Sequence, residues 1–236
     1  MGRLHHLRRT LPANLMANRE VKDFEMVLLD YSSPDALQDW VKQEMMDYIE
    51  EGSLVYYKIL GRKYFYHAHA KNIAHKLAAG KIVCNVDADN FTGDGFAEYL
   101  RTTFNLNQNI IIRPNKISGG AYGRIAMLKV DFIRLGGYDE RMEKGWGGED
   151  ADLIERARRM GLKEMIFEPN SGYFNIIRHS SKERVQYSEF KNQHESQEFH
   201  QKLSSQSIQS GQYVANQTRI WGSGSVIKNF CALLEI

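Results

Sequence analysis

Two aspartates, Asp87 and Asp89, stand one residue apart after residues 82–86, a largely apolar and β-branched run. That run reads as a short buried strand. The carboxylates must leave the core, because a buried unpaired carboxylate is too costly. In an open α/β sheet, ligands bind in the crevice beyond the carboxyl ends of the strands. Paired there, Asp87 and Asp89 can share a hard divalent cation, which prefers oxygen ligands and can neutralise a diphosphate. A solvated strand end is the plainer alternative: Asp-x-Asp is short enough to recur by chance, and Asp150 and Asp152 form a second copy.

Residues 145–150, Gly-Trp-Gly-Gly-Glu-Asp, are the other stretch with chemistry in it. Three glycines allow the backbone to approach a ligand closely, and Trp146 offers a flat apolar face. Glu149 and Asp150 open a helix, where the helix dipole favours their ionised forms. A carboxylate so placed can act as a general base toward a hydroxyl; ordinary N-terminal helix charge is the competing reading. His179 ends the run Ile176-Ile177-Arg178, and one imidazole can join carboxylates around a metal. A structural or surface histidine is the alternative there. His67, His69, His75, His194 and His200 have no metal-like spacing.

These residues need a scaffold, and 236 residues suffice for one large domain with a full core. Hydrophobic residues make up 42% and charged residues 25%, as in a soluble globular protein. With 31 Lys+Arg against 29 Asp+Glu, the net charge of +2 gives no case for nucleic acid or a membrane surface as partner. Cys84 and Cys231 cannot make a disulfide framework. No apolar run reaches transmembrane length and no signal peptide opens the chain, so a cytoplasmic protein is expected.

Leu4, Leu7, Leu11 and Leu15 predict a helix almost from Met1, kinked or reset at Pro12. Strands are predicted at 24–29, 54–59, 82–86, 109–113, 163–167 and 174–178, and helices after Ser33 and over 69–79, 96–103 and 149–160. Residues 119–123 read as a glycine-rich loop. From Ser180 the chain turns polar and Ser/Gln-rich, which predicts a surface lid or extension with little core. Alternating strands and helices mean an α/β sheet, mainly parallel and covered on both faces. A sheet domain that opens on a helix suggests a strand upstream.

Taken together, Val86-Asp87-Ala88-Asp89, then Gly136-Gly137-Tyr138-Asp139-Glu140, then residues 145–153 resemble a GT-A-fold glycosyltransferase in order and spacing. The last block is similar to the carboxyl-terminal motif of animal beta-1,4-galactosyltransferases and of many bacterial family-2-like enzymes. The resemblance covers roughly residues 4–180. It implies an α/β fold of GT-A (Rossmann-like) type, a mostly parallel sheet flanked by helices. Residues 1–180 would form the transferase domain, with its first strand missing before Leu4, and 181–236 a lid or extension of the same domain.

The resemblance also implies roles. Asp89 resembles the direct metal ligand, Asp87 a residue near the ribose or reaching the ion through water, and His179 a further metal ligand. Ile176 stands where the family has a metal-binding methionine. Asp150 matches the catalytic base, and Trp146, Gly147, Gly148 and Glu149 match acceptor-binding positions. Asp30 and Lys71 resemble nucleotide-binding residues, with Tyr31 replacing a second acid. The implied function is inverting, metal-dependent transfer of a sugar from a nucleotide-sugar, a UDP-sugar, to a glycan or other hydroxyl acceptor, with Mn²⁺ or Mg²⁺. A sugar-phosphate nucleotidyltransferase would need a Gly-rich phosphate loop near the amino terminus, which this chain lacks. A non-catalytic nucleotide-sugar or glycan-binding remnant is the alternative, favoured by the missing strand, Tyr31 and Ile176.

Overall fold

The leucine spacing at the amino terminus does build one helix, α1 (Leu4–Asn18), which runs through Pro12 without a break. In the computed structural model, which describes residues 1–115, 121–167 and 172–236, Leu4, Leu7, Leu11 and Leu15 bury against Leu37, Trp40, Val41, Leu54 and Tyr56. The other face of α1 is polar yet also buried, at spacing four. Thr10 Oγ1 donates to the Ala88 carbonyl (2.7 Å) and Asn14 Nδ2 to that of Asn90 (2.9 Å). Asn14 Oδ1 accepts from the Thr92 amide (2.7 Å), and Asn18 Oδ1 from the Ala97 amide (2.8 Å). Buried polar groups must be paired, and here the pairing clamps the turn that carries Asp87 and Asp89.

The remaining elements alternate. They are β1 (Met26–Tyr31), α2 (Leu37–Glu44), α3 (Met46–Glu50), β2 (Leu54–Ile59), α4 (His67–Leu77), β3 (Ile82–Cys84), α5 (Phe96–Leu106), β4 (Ile110–Arg113) and β5 (Ala126–Leu128). After these come α6 (Lys129–Arg134), a 3-10 turn (Glu140–Met142), α7 (Glu149–Arg159), β6 (Lys163–Ile166), α8 (Ser181–Val185), α9 (Gln193–Gln209), β7 (Ser225–Lys228) and β8 (Ala232–Glu235). Among the described residues two four-stranded sheets result, in the orders β1-β2-β7-β8 and β3-β5-β4-β6. Helices flank them, as the α/β reading expected. β1 runs parallel to β2 from Met26↔Leu54 to Tyr31↔Ile59, and β4 parallel to β6.

Three details correct the sequence reading. The parallel character is smaller than expected: β2–β7, β7–β8, β3–β5 and β4–β5 are all antiparallel. The strand expected over 174–178 reduces to a single bridge, Asn90↔Ile176, where its backbone pairs with the turn that carries the aspartates. The polar tail, expected as a lid or extension with little core, adds β7 and β8 to the first sheet beside β2, with Val226 fully buried. Of the predicted glycine loop, Gly119 and Gly120 lie outside the described residues. No helix among the described residues is long and apolar enough to cross a membrane.

Candidate active site

Asp150 enters the first turn of α7 as the sequence predicted, and α4 delivers its partner. Lys71 Nζ donates to Asp150 Oδ1 at 2.7 Å and to Glu149 Oε1 at 2.9 Å. The lysine is set by its neighbour Asn72. That side chain accepts from the Tyr138 amide (2.7 Å) and donates to the Tyr138 carbonyl and to Glu140 (both 2.9 Å). So the Gly-Gly-Tyr-Asp-Glu block acts on the site from below, by anchoring α4. The Lys71 ammonium also lies 5.0 Å from the centre of the Tyr138 ring.

One ammonium now faces two carboxylates in a buried pocket, and they divide unequally. Burial raises the Asp150 pKa; Lys71 opposes this, Glu149 and Asp87 add to it, and the carboxyl stands near 7. Burial also pushes Glu149 upward, but Lys71 and His67 outweigh it and hold Glu149 at about 2. Two interacting acids so arranged give one group that keeps its charge and one that exchanges a proton near neutral pH.

Gly123 explains how the other aspartate joins them. A Cβ there would lie 3.0 Å from Asp150 Oδ2 and 3.2 Å from Asp87 Oδ2, so both carboxylates rest on bare backbone. Asp87 Oδ1 accepts from Asn85 Nδ2 at 3.0 Å, and the same amide donates to the Gly123 carbonyl. Gly123→Ala should therefore fold, displace both carboxylates by a few tenths of an ångström, and lower any reaction that uses them about 10-fold. Melting temperature and activity measured side by side check this.

Asp89 turns the other way, toward His179. The Ile177 amide donates to the Asp89 carbonyl (2.8 Å), and this register brings His179 Nε2 to 2.8 Å from Asp89 Oδ2. His179 Nδ1 lies 3.3 Å from Glu183 of α8. Burial, then Asp87, raises the Asp89 pKa. Among the described residues, no group of three or more His, Cys, Asp or Glu side chains gathers to hold a metal. A hard divalent cation that keeps waters and takes phosphate oxygens needs only one or two protein ligands. Asp89 and His179 bring one carboxylate oxygen and one imidazole nitrogen to within 2.8 Å of each other at the cavity wall.

The glycines of 145–148 serve the protein more than a ligand. A Cβ on Gly145 would fall 2.3 Å from Ser196 Cβ, and one on Gly148 2.8 Å from His200 Cβ. Helix α9 thus packs directly on the turn, and Ser196 Oγ bonds both the amide and the carbonyl of Trp146 (3.2 and 3.1 Å). The Arg184 guanidinium lies 5.3 Å from the Trp146 ring centre. Gly145→Ala should cost about 1–3 kcal/mol by forcing α9 away, read from denaturant unfolding.

Of the residues predicted for binding, Lys71, Asp87, Asp89, Trp146, Gly147, Gly148, Glu149, Asp150 and His179 line one cavity of about 1780 Å³. Asp30 does not. It is buried and committed to the fold, its Oδ2 accepting from Tyr56 Oη (2.7 Å) and its Oδ1 from the Ser33 amide (2.7 Å). Both oxygens expected to face a nucleotide are thus taken up inside the fold. Lys71, expected at the nucleotide, is instead engaged by Glu149 and Asp150. Tyr31 is buried as well, with its hydroxyl 2.7 Å from His69 Nδ1.

Some lining residues escaped the sequence reading. His6 and His67 each keep a buried Nδ1 with no hydrogen-bond partner among the described residues. Burial pushes both imidazoles down to about 4. Neither has a spacing that signals it, since each reaches the cavity through tertiary placement.

A family model described as the N-terminal domain of galactosyltransferase matches residues 109–180, a span that takes in the glycine–tryptophan turn, Asp150 and His179. No curated protein matches the chain. Solved structures do. The mannosyltransferase PcManGT from Pyrobaculum calidifontis, in complex with GDP-Man and Mn²⁺, superposes with a TM-score of 0.56 at 19% identity, over 72% of this chain and 55% of that one. TarS from S. aureus gives 0.64 at 13%, over 88% and 38%. GalNAc-T7 with UDP, GalNAc and Mn²⁺ gives 0.57 at 17%, over 69% and 40%. This chain thus spans little more than half of the first structure and less than half of the other two. At these identities the likeness is one of fold, and the fold is that of GT-A glycosyltransferases.

Proposed function

We propose that this fold carries an inverting glycosyltransferase in which Asp150 is the general base, a UDP-sugar the donor and a glycan or other hydroxyl compound the acceptor. The observation that carries the reading is Asp150 itself: a half-buried carboxyl held by Lys71, its pKa raised to about 7, in the same crevice as Asp87, Asp89 and His179. A base of that pKa accepts a proton readily and is still available at neutral pH.

In the reaction, the acceptor hydroxyl attacks the anomeric carbon from the face opposite the diphosphate. The new carbon–oxygen bond forms as the bond to the diphosphate breaks, the diphosphate leaves with the electron pair, and Asp150 takes the hydroxyl proton. Lys71 fixes the carboxylate's direction and Glu149 balances the lysine's charge, so a proton on Asp150 leaves the Lys71–Glu149 pair intact. Trp146, beside the base, offers its ring to the acceptor. Asp89 and His179 would hold Mn²⁺ or Mg²⁺, which when bound neutralises charge on the departing diphosphate.

The pH dependence follows from the sign of the Asp150 shift. The base works ionised, so kcat/KM should fall about tenfold per unit as pH drops below about 7 and level off above it. The direct test is to incubate the chain and Mn²⁺ with UDP-sugars and GDP-sugars, each with a panel of sugar acceptors, and to follow nucleoside diphosphate release. Release dependent on a UDP-sugar and an acceptor supports the proposal. No release with any donor, in a chain that still binds UDP, favours the non-catalytic reading.

A further inference from the structure

Arg124 follows Gly123, on whose bare backbone the Asp87 and Asp150 carboxylates rest, and its side chain reaches the far end of the aspartate turn at Asn90. It is one of the largest fully buried side chains of the protein, 1% exposed. Nη2 donates to Asn90 Oδ1 at 3.0 Å, while Nε and Nη1 have no hydrogen-bond partner among the described residues. The Phe96 and Phe174 ring centres lie 5.5 and 5.4 Å from the guanidinium. Burial lowers its pKa, and Cys84, Asp87 and Asp89 oppose this. A buried cation with no carboxylate bonded to it is a poor way to stabilise a fold, because a well-packed apolar side chain often does as well. Its use is better sought in what the guanidinium holds.

It holds the direction of an amide. A guanidinium only donates, so the oxygen of the Asn90 side chain faces Arg124 and the nitrogen faces away. That nitrogen donates to Asp89 Oδ1 at 2.9 Å. Asp89 Oδ2 is left toward His179 Nε2, 2.8 Å away. Asn90 is itself fully buried and its backbone is fixed: its amide donates to the Asp87 carbonyl (3.0 Å), and its carbonyl accepts from Asn14 Nδ2 (2.9 Å). With the side-chain amide reversed, an oxygen would face Asp89 Oδ1 and leave it without a donor.

We infer that Arg124 is a positioning residue: through Asn90 it holds the Asp89 carboxylate with one oxygen tied to the protein and the other turned toward His179, where a divalent cation would sit. The inference rests on the reading of Asp89 and His179 as the protein ligands of that cation. Outer partners of metal ligands set affinity by about 10–100-fold without touching the metal. Gly123 and Arg124 then serve the two ends of the site from neighbouring positions, the first seating Asp87 and Asp150 and the second directing Asp89.

The test reads Mn²⁺ binding by electron paramagnetic resonance at saturating UDP, and UDP binding in chelator by calorimetry. Arg124→Met removes the guanidinium and keeps a long side chain in its place. Asn90→Ala removes the amide and leaves Arg124. Each should weaken Mn²⁺ binding by at least ~10-fold, with UDP affinity in chelator within about twofold of the unaltered chain's. A side chain that merely held the fold would lower both affinities together. Mn²⁺ affinity unchanged in either variant, or lost together with UDP affinity in chelator, overturns the inference. If Arg124→Met does not fold, Asn90→Ala decides alone. An unaltered chain that binds UDP but no Mn²⁺ would remove the cation reading itself, and this inference with it, before any substitution is made.

Discussion

Replacing Asp150 with asparagine is expected to leave UDP affinity near that of the unaltered chain while lowering sugar transfer by at least ~100-fold. The substitution keeps size and a hydrogen-bond acceptor for Lys71, which sits 2.7 Å away, so the pocket should keep its shape. It removes the group that takes the acceptor proton. The loss should also carry a signature that a packing defect would lack: whatever transfer remains should no longer rise with pH through about 7. Glu149→Gln should behave differently. It leaves Lys71 with Asp150 as its only carboxylate, which stabilises the ionised base and moves the break in the profile to lower pH. Transfer rates over a pH series, with UDP affinity measured for each variant, separate these outcomes.

Asp89→Ala is the second large expectation. Asp89 and His179 lie 2.8 Å apart on the cavity wall, and a divalent cation bound with a diphosphate needs few other protein ligands. UDP should bind the unaltered chain at least ~10-fold more tightly with Mn²⁺ than with a chelator, about 1.4 kcal/mol, and Asp89→Ala should abolish the difference. Calorimetry with equal affinities in Mn²⁺ and chelator for the unaltered chain would take the cation out of the account. His179→Ala should act in the same direction. His179→Asn should do so too, because neither replacement supplies the imidazole.

Local pattern made the first half of this site legible. The apolar run before Asp87 and the glycine turn before Asp150 each carry their meaning within ten residues, and both elements stand where the sequence put them. The clamp of Thr10, Asn14 and Asn18 was open to view at spacing four but was masked by the leucines, which claim the same helix for the core. Lys71 could be found as a basic residue but not as the partner of Asp150, because that pairing is made by the anchoring of Asn72 to Tyr138. The tail misled for a compositional reason. Its Ser/Gln-rich helix α9 is polar because it packs through small side chains on a glycine turn, with Ser196 and Ser207 buried, and the four-residue strands beyond it are too short to show a period. Asp30 is the opposite case. Its nucleotide role came from the family resemblance alone, and here its oxygens accept from Tyr56 and the Ser33 amide.

The account turns on Asp150 acting on an acceptor from the face opposite the leaving diphosphate, and the anomeric configuration of the product reads this directly. With an α-linked UDP-sugar as donor, proton NMR of the freshly formed product should show the β-anomer alone in the unaltered chain. A product that keeps the α-configuration would contradict the account, because retention requires a chemistry in which Asp150 is not the base.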